Sequence, residues 1–391
     1  MTRRTDTDLG SLGAGETADL VRSGRVTAVE TVRAALERID RDDPRLRAFT
    51  EVWPGSALSR AAAIDRAVRR GEVLPLAGVP LAVKASEGIS SVQAERLIAA
   101  GAVPVGAASI PGPGTDWRTW GDTPRGRTVN PWCSDLSPGG SSAGSAVAVA
   151  AGLVPMATAS DGAGSTRIPA AWCGVVGYKP TNGLLPARDR ARLNSGGPIT
   201  RSCADAALYR RVVLGSPAVK APVTTLRVAW SADLGFADTD PEIARVARDR
   251  LRAWEERVPG MEVVDVTLVL PDPASSWSAR RSGDAPTRHG GRYAPSALDA
   301  LLSEVDLLAT PTTPNPPHGH EGPGDTMSVA LTWAFNLTGH PALSLPAGFD
   351  RNGAPVGVQL VADHHRDGDL LAAARTFEDV GALFSAPPSD D

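Results

Sequence analysis

The sequence predicts an α/β protein in which helices cover a sheet, and three observations carry that reading. Amphipathic stretches with helix start signals alternate along the chain with short apolar runs bounded by Gly and Pro. No internal repeat at a fixed period is visible, so a solenoid or propeller is not indicated. The 391 residues are 42% hydrophobic and 21% charged, the mix of a globular chain able to bury a substantial core.

Taken in order, residues 27–40 (TAVETVRAALERID) offer Thr27 as N-cap with Glu30 three positions on, and Val29, Val32, Leu36 and Ile39 on one face. They predict a helix that ends before Pro44. A second helix over 56–70 leads into GVPLAVKAS at 78–86, a short apolar run after a Gly and Pro turn that reads as a buried strand carrying Lys84. Residues 91–100 read as helix and 102–108 as strand. The long loop PGPGTDWRTWGDTPRGRTVNPW follows, with Trp117, Trp120 and Trp132 either functional or plugging the loop onto the core.

Residues 141–153 are so small that a helix there must pack against neighbouring backbone on all sides. VPMATAS then reads as a strand, DGAG as a turn, and Ser165 as the start of the next helix. LRVAW predicts a strand, and DPEIARVARDRLRAWEE a helix with Asp240 as N-cap and Pro241 at its first position. Residues 271–297, polar and without period, read as a mobile connector. Strand-like VDLLATP, helical 328–338, strand-like PALSLPAG and PVGVQLVA, and a helix over 368–381 complete the alternation.

Composition excludes several partner classes. A formal charge of −4, with Lys and Arg scattered among acids, gives no basic patch for nucleic acid. The stretch MTRRTDTDLG has no apolar run behind its arginines, so a cytoplasmic location is expected, and the alanine-rich run 146–159 is too short to span a bilayer. Cys133, Cys173 and Cys203 are widely spaced and odd in number, which favours buried thiols over a disulfide framework or zinc site. His318 and His320 beside Glu321 lie in a Pro- and Gly-rich loop with no third ligand evident, so they read as solvated and no metal site is expected.

The serine- and glycine-rich stretches at 137–145 and 160–166 could each expose a nucleophile, and neither contains a histidine. All six histidines fall in the last third of the chain, which by itself does not exclude them. Lys84 offers another base, because desolvation in an apolar strand lowers an ammonium pKa toward the working range. The alternative is a lysine whose charge reaches the surface. GSSAG at 140–144 also fits the nucleophile elbow of α/β-hydrolases with Ser142 as nucleophile, but a loop rather than a strand precedes it.

Taken together, GVPLAVK at 78–84, PGGSSAGSAVAVAAGLVP at 138–155, SDGAGSTRIPAAWCGVVGYKPTNG at 160–183 and FNLTGHPALSLPAG at 335–348 resemble the amidase signature family, in order over most of the chain. The resemblance implies the amidase signature fold, a mixed central sheet covered by helices on both faces as an α/β/α sandwich. It implies one domain over 1–391, with a variable subregion at 216–300 that is short here; the ends, 1–10 and 385–391, read as disordered. It implies a Ser-cisSer-Lys triad with Ser165 as acyl-forming nucleophile, Ser141 as bridging serine after a cis peptide, and Lys84 as base. It also makes the backbone N–H groups of Gly162, Ala163, Gly164 and Ser165 candidates for an oxyanion hole. The implied activity is hydrolysis of carboxylic amides through an acyl-enzyme, without cofactor.

The chain departs from the family pattern at Ala85, Ala143 and Ala163, where many relatives have an aspartate and paired glycines; a position there needing positive φ would be strained. The segment between Lys84 and Ser141 is also short, which implies a wider pocket or one completed by a partner subunit. The expected partner is a small amide substrate, with a homodimer left open and neither nucleic acid nor membrane implied. Trp117, Trp120, Trp172 and Trp333 are candidates for an aromatic-walled substrate pocket, each equally readable as core. Two other readings stay open: an amide-forming acyltransferase using the same residues, and a non-catalytic binding protein. One component of the tRNA-dependent amidotransferases shares the motif blocks, but this chain reads as too short for it, lacking much of the C-terminal region.

Overall fold

The computed structural model describes residues 9–113, 119–187, 189–219, 225–283, 293, 295–381 and 387. Most of the two ends read as disordered, 1–10 and 385–391, and also Trp117, lie outside them. The strands are β1 (Phe49–Val52), β2 (Pro80–Lys84), β3 (Val103–Ala108), β4 (Asp122–Thr123), β5 (Gly126–Arg127), β6 (Met156–Asp161), β7 (Val176–Lys179), β8 (Ser195–Thr200), β9 (Leu226–Trp230), β10 (Met261–Asp265), β11 (Leu307–Pro311), β12 (Ala342–Phe349) and β13 (Pro355–Val361). The helices are α1 (Ala14–Arg22), α2 (Ala28–Leu46), α3 (Pro54–Arg69), α4 (Val92–Ala99), α5 (Ala143–Ala150), α6 (Arg167–Cys173), α7 (Cys203–Leu214), α8 (Pro241–Glu255), α9 (Ala274–Ser282), α10 (Ser296–Glu304), α11 (Ala334–Thr338) and α12 (Asp367–Asp379).

Among the described residues an 11-stranded sheet runs in the order β1-β3-β2-β6-β8-β7-β12-β13-β11-β9-β10. It is mixed: β2 is parallel to both β3 and β6, whereas β6 and β8 are antiparallel. Side chains alternate across the pleat, so β2 serves two cores. Leu81 and Val83 pack with residues of α1, α4 and α7, while Ala82 packs with α2, α3 and α5. Helices thus cover both faces, and Lys84, in phase with Ala82, ends the strand on the α5 side.

The small residues of α5 do what their size suggests. A Cβ added at Gly144 would meet Ala48 O at 2.1 Å and Ser109 N at 2.3 Å, so this helix touches neighbouring backbone directly. That contact seats the Ser141 loop against the sheet.

Three expectations are corrected. Helix α2 runs through Pro44 to Leu46, because a proline in the last turn forfeits only one ladder bond. The Asp43 carboxylate then fixes the exit by accepting the N–H groups of Ala48 (2.7 Å) and Phe49 (3.2 Å). Residues 274–282, read as connector, form α9, pinned by Trp277, which is 5% exposed. Ser165 stands two residues before α6 rather than at its start. The Asp161 carboxylate draws the N–H groups of Gly164 (2.7 Å), Thr166 (3.2 Å) and Arg167 (3.3 Å) onto itself and holds the loop open ahead of the helix.

Candidate active site

Four stretches converge at one end of the central strands. The ends of β2 and β6 supply Lys84 and Ser160, and the loop entering α5 supplies Ser141. The loop leaving β6 supplies Gly162 and Ser165. Together with Ser86, Glu87, Asp189, Leu193, Asn194 and Arg281 they line a cavity of about 410 Å³. Ser141 and Ser165 are half-buried and face it, whereas Ser142 is buried with its hydroxyl unpartnered and does not line it. That burial removes Ser142 as an accessible elbow nucleophile.

Lys84 is 2% exposed. Its Nζ donates to Ser141 Oγ at 2.9 Å, to Ser160 Oγ at 3.0 Å and to Ser160 O at 3.3 Å. Burial is the main influence on this amine and lowers its pKa from 10.5 to about 8, against the charges of Glu87 and Asp161, which raise it. The surface-reaching alternative is therefore corrected: the amine is enclosed and hydrogen-bonded to serine oxygens. Lys179 is also buried, with its pKa lowered to about 7, but its Nζ is tied to Pro180 O and Asn182 Oδ1, away from either loop serine.

The peptide between Gly140 and Ser141 is cis. The two serine loops meet through backbone, Ser142 N–H donating to Ser165 O at 3.3 Å. Among the described residues no hydrogen bond joins Ser141 Oγ to Ser165 Oγ.

Beneath the Ser165 loop lies an enclosed ion pair. Arg167 and Asp161 are both 0% exposed, with Nη2 to Oδ1 at 2.8 Å and Nε to Oδ2 at 2.9 Å. The other Arg167 N–H groups reach Thr332 O, Gln359 Oε1 and Asn336 Oδ1 at 2.7–3.0 Å, so the whole guanidinium fork is satisfied. Burial alone would raise the Asp161 carboxyl, but the Arg167 charge and hydrogen bonds from Arg167 and Asn336 hold it below the usual carboxylate range.

The four candidate oxyanion donors do not stand alike. Gly164 N–H is occupied by Asp161 Oδ1, so it is withdrawn from the set. The N–H groups of Gly162, Ala163 and Ser165 have no hydrogen-bond acceptor among the described residues. Gly164 has φ 129°, and a Cβ there would meet Thr332 Oγ1 at 2.4 Å, so glycine is required at that position. Ala85, Ala143 and Ala163 are free of the strain considered above. Among the described residues the non-glycine positions with positive φ are Arg47, Arg192, Leu234 and His365.

The tryptophans are placed differently from the expectation of an aromatic-walled pocket. Trp120, Trp172 and Trp333 are 1–3% exposed and none lines the cavity that holds Ser165. Trp172 donates to Thr313 Oγ1 at 3.2 Å and meets the edge of His318 at 5.3 Å. His318 is half-buried between Trp172 and Trp120 rather than solvated, and no described histidine lines the cavity. Cys173 and Cys203 are buried, while Cys133 is partly exposed. No helix among the described residues is long and apolar enough to cross a membrane.

Two contributors escaped the sequence reading. Ser160 supplies two oxygens to Lys84, and its signal was a pair of hydroxyl residues, Thr158 and Ser160, at period two in a fully buried strand. Trp277 donates its indole N–H to Gly162 O at 2.8 Å from a helix with no apolar period to reveal it.

Comparison with known proteins gives a family match over most of the chain. The family model for amidases matches residues 30–89, 87–282 and 291–371. An acylamidase of Rhodococcus erythropolis is 31% identical over 480 aligned positions covering 99% of each chain. One component of the glutamyl-tRNA(Gln) amidotransferase of Synechococcus sp. is 30% identical over 486 positions, covering 96% of this chain and 98% of that one. These alignments reach across nearly the full length of the longer relatives, so their extra residues lie inside the matched span, and the expected loss of the C-terminal region is corrected. The structure of a bacterial aryl acylamidase of the amidase signature enzymes superposes with a TM-score of 0.80 at 25% identity, over 96% of this chain and 97% of that one. Native peptide amidase from Stenotrophomonas maltophilia shares the fold, with a TM-score of 0.75 at 24% identity over 97% and 99% of the chains.

Proposed function

This chain belongs to the amidase signature family, and from that premise we propose that it hydrolyses acyl amides with Ser165 as nucleophile, Ser141 as proton bridge and Lys84 as base. The observation that carries the reading is the 2.9 Å contact between Lys84 Nζ and Ser141 Oγ inside a cavity that Ser165 also lines. The names of the relatives, acylamidase and aryl acylamidase, support an acyl amide as the substrate class.

The chemistry follows from the proton inventory. A neutral amine at Lys84 has two N–H donors and one lone pair. Ser160 O must accept one donor and Ser160 Oγ can accept the other, leaving the lone pair for the Ser141 hydroxyl. As Ser165 Oγ attacks the carbonyl carbon, its proton passes to Ser141 Oγ and the Ser141 proton passes to Lys84 Nζ. Collapse of the tetrahedral intermediate returns a proton through Ser141 to the departing amine nitrogen. Water then attacks the acyl ester through the same relay and frees the acid.

Negative charge on the carbonyl oxygen would be met by the unoccupied N–H groups of Gly162, Ala163 and Ser165, an arrangement in which one donor contributes about 3 to 4 kcal/mol. The Ser165 hydroxyl swings toward Ser141 when substrate fills the cavity, since catalytic hydrogen bonds commonly close only in the complex. A fluorophosphonate probe followed by peptide mass mapping tests the reading, together with amine release from acyl anilides. Labelling of Ser165 and loss of both signals in Ser165→Ala are expected; labelling at any other serine would overturn the assignment.

A further inference from the structure

The geometry points to Trp277 as a positioning residue that aims the Ala163 N–H of the oxyanion hole, an inference that rests on the nucleophile reading above. Two consecutive peptide planes precede Ser165, and they are held in different ways. In the plane joining Ala163 to Gly164, the Thr332 hydroxyl donates to the Ala163 carbonyl while Gly164 N–H donates to Asp161 at 2.7 Å. Both ends of that plane are fixed, and its N–H is unavailable to a substrate.

In the plane joining Gly162 to Ala163, only the carbonyl end is held. Its partner is Trp277 Nε1, at 2.8 Å. A trans peptide points its C=O and N–H in opposite directions, so the indole that holds one fixes the other. Ala163 N–H has no acceptor among the described residues, which leaves it available for developing charge. Among the described residues no other hydrogen bond holds this plane, and a rotated plane would turn a carbonyl oxygen toward the site where an oxyanion must form.

The indole is itself clamped. The Arg281 guanidinium lies 5.1 Å from its ring centre and the Trp333 ring 6.2 Å away, while α9 carries both Trp277 and Arg281 one turn apart. Arg281 also lines the cavity that holds Ser165. Among the described residues between 216 and 300, it is α9 that reaches the cavity, through Arg281.

The test removes the donor and keeps the shape. β-(3-Benzothienyl)alanine at position 277 is an indole isostere without an N–H, and Trp277→Phe is the encoded counterpart. With an acyl anilide as substrate, kcat is expected to fall about tenfold or more with KM little changed, a partial form of the loss seen when a donor is deleted. Inhibition by a trifluoromethyl ketone, which forms the tetrahedral adduct, is expected to weaken by the same factor. A kcat equal to that of the unmodified protein would overturn the proposal while leaving the amidase reading intact, as would a rise in KM alone. If the unmodified chain cleaved no amide and left Ser165 unlabelled, both would fall together.

Discussion

Lys84 Nζ and Ser141 Oγ stand 2.9 Å apart although 57 positions separate them, and the amine has almost no access to solvent. With its pKa lowered to about 8, mainly by burial, the base is neutral above that pH and protonated below it. The expected kcat/KM therefore rises about tenfold per pH unit up to pH 8 and levels beyond it. A profile from pH 6 to 9.5 on an acyl anilide checks this; a flat or falling limb below pH 8 would contradict it.

Ser160 supports the cation through its hydroxyl and its carbonyl. A hydrogen bond accepted from the charged form favours that form, so Ser160→Ala is expected to move the inflection to lower pH. The loss of orientation should also cost about tenfold in kcat. An unchanged pH profile in this variant would remove Ser160 from the account.

The enclosed Asp161–Arg167 pair carries the loop rather than the reaction. Arg167→Met strands a buried carboxylate and is expected to cost about 3 to 5 kcal/mol in denaturant titration at pH 7. The sign with pH follows from the lowered Asp161 pKa. Stabilisation from the pair is complete above the ordinary carboxylate value and is lost as the pH falls through the lower folded value. Between those values acid should therefore narrow the gap between wild type and variant.

Gly164→Ala places a Cβ against Thr332 Oγ1 at a positive φ and is expected to cost about 1 to 3 kcal/mol together with most of the activity. Ala163→Gly, at a position without positive φ, is expected to keep turnover within a few-fold. Thermal melts beside steady-state rates separate the two.

Much of the fold was legible because its helices carry caps and one-sided apolar faces. Thr27 accepts from Glu30 N–H and Asp240 from Glu242 N–H as their spacing suggests. Strand β8, SGGPIT, was not, since Gly196, Gly197 and Pro198 erase both propensity and alternation. At Gly197 an added Cβ would lie 2.0 Å from Tyr178 O, so it is backbone proximity, invisible in a pattern of side chains, that selects glycine there.

The site divides along the same line. Lys84 was conspicuous as a charge inside an apolar strand, and the serines stood out among glycines. The capture of Gly164 N–H by Asp161 and the reach of Trp277 to Gly162 depend on contacts across 3 and 115 positions. The second has no local signature, and the first is an Asp side chain accepting an N–H three residues on. The tryptophans misled because a large aromatic fills a core and lines a pocket with equal ease.

The most direct test of the proton relay is the rate at which a fluorophosphonate labels Ser165 as a function of pH. The account predicts modification at Ser165 that speeds about tenfold per pH unit up to pH 8, then levels, and that Lys84→Met abolishes. Labelling that is independent of pH, or that persists at full rate in Lys84→Met, would contradict it.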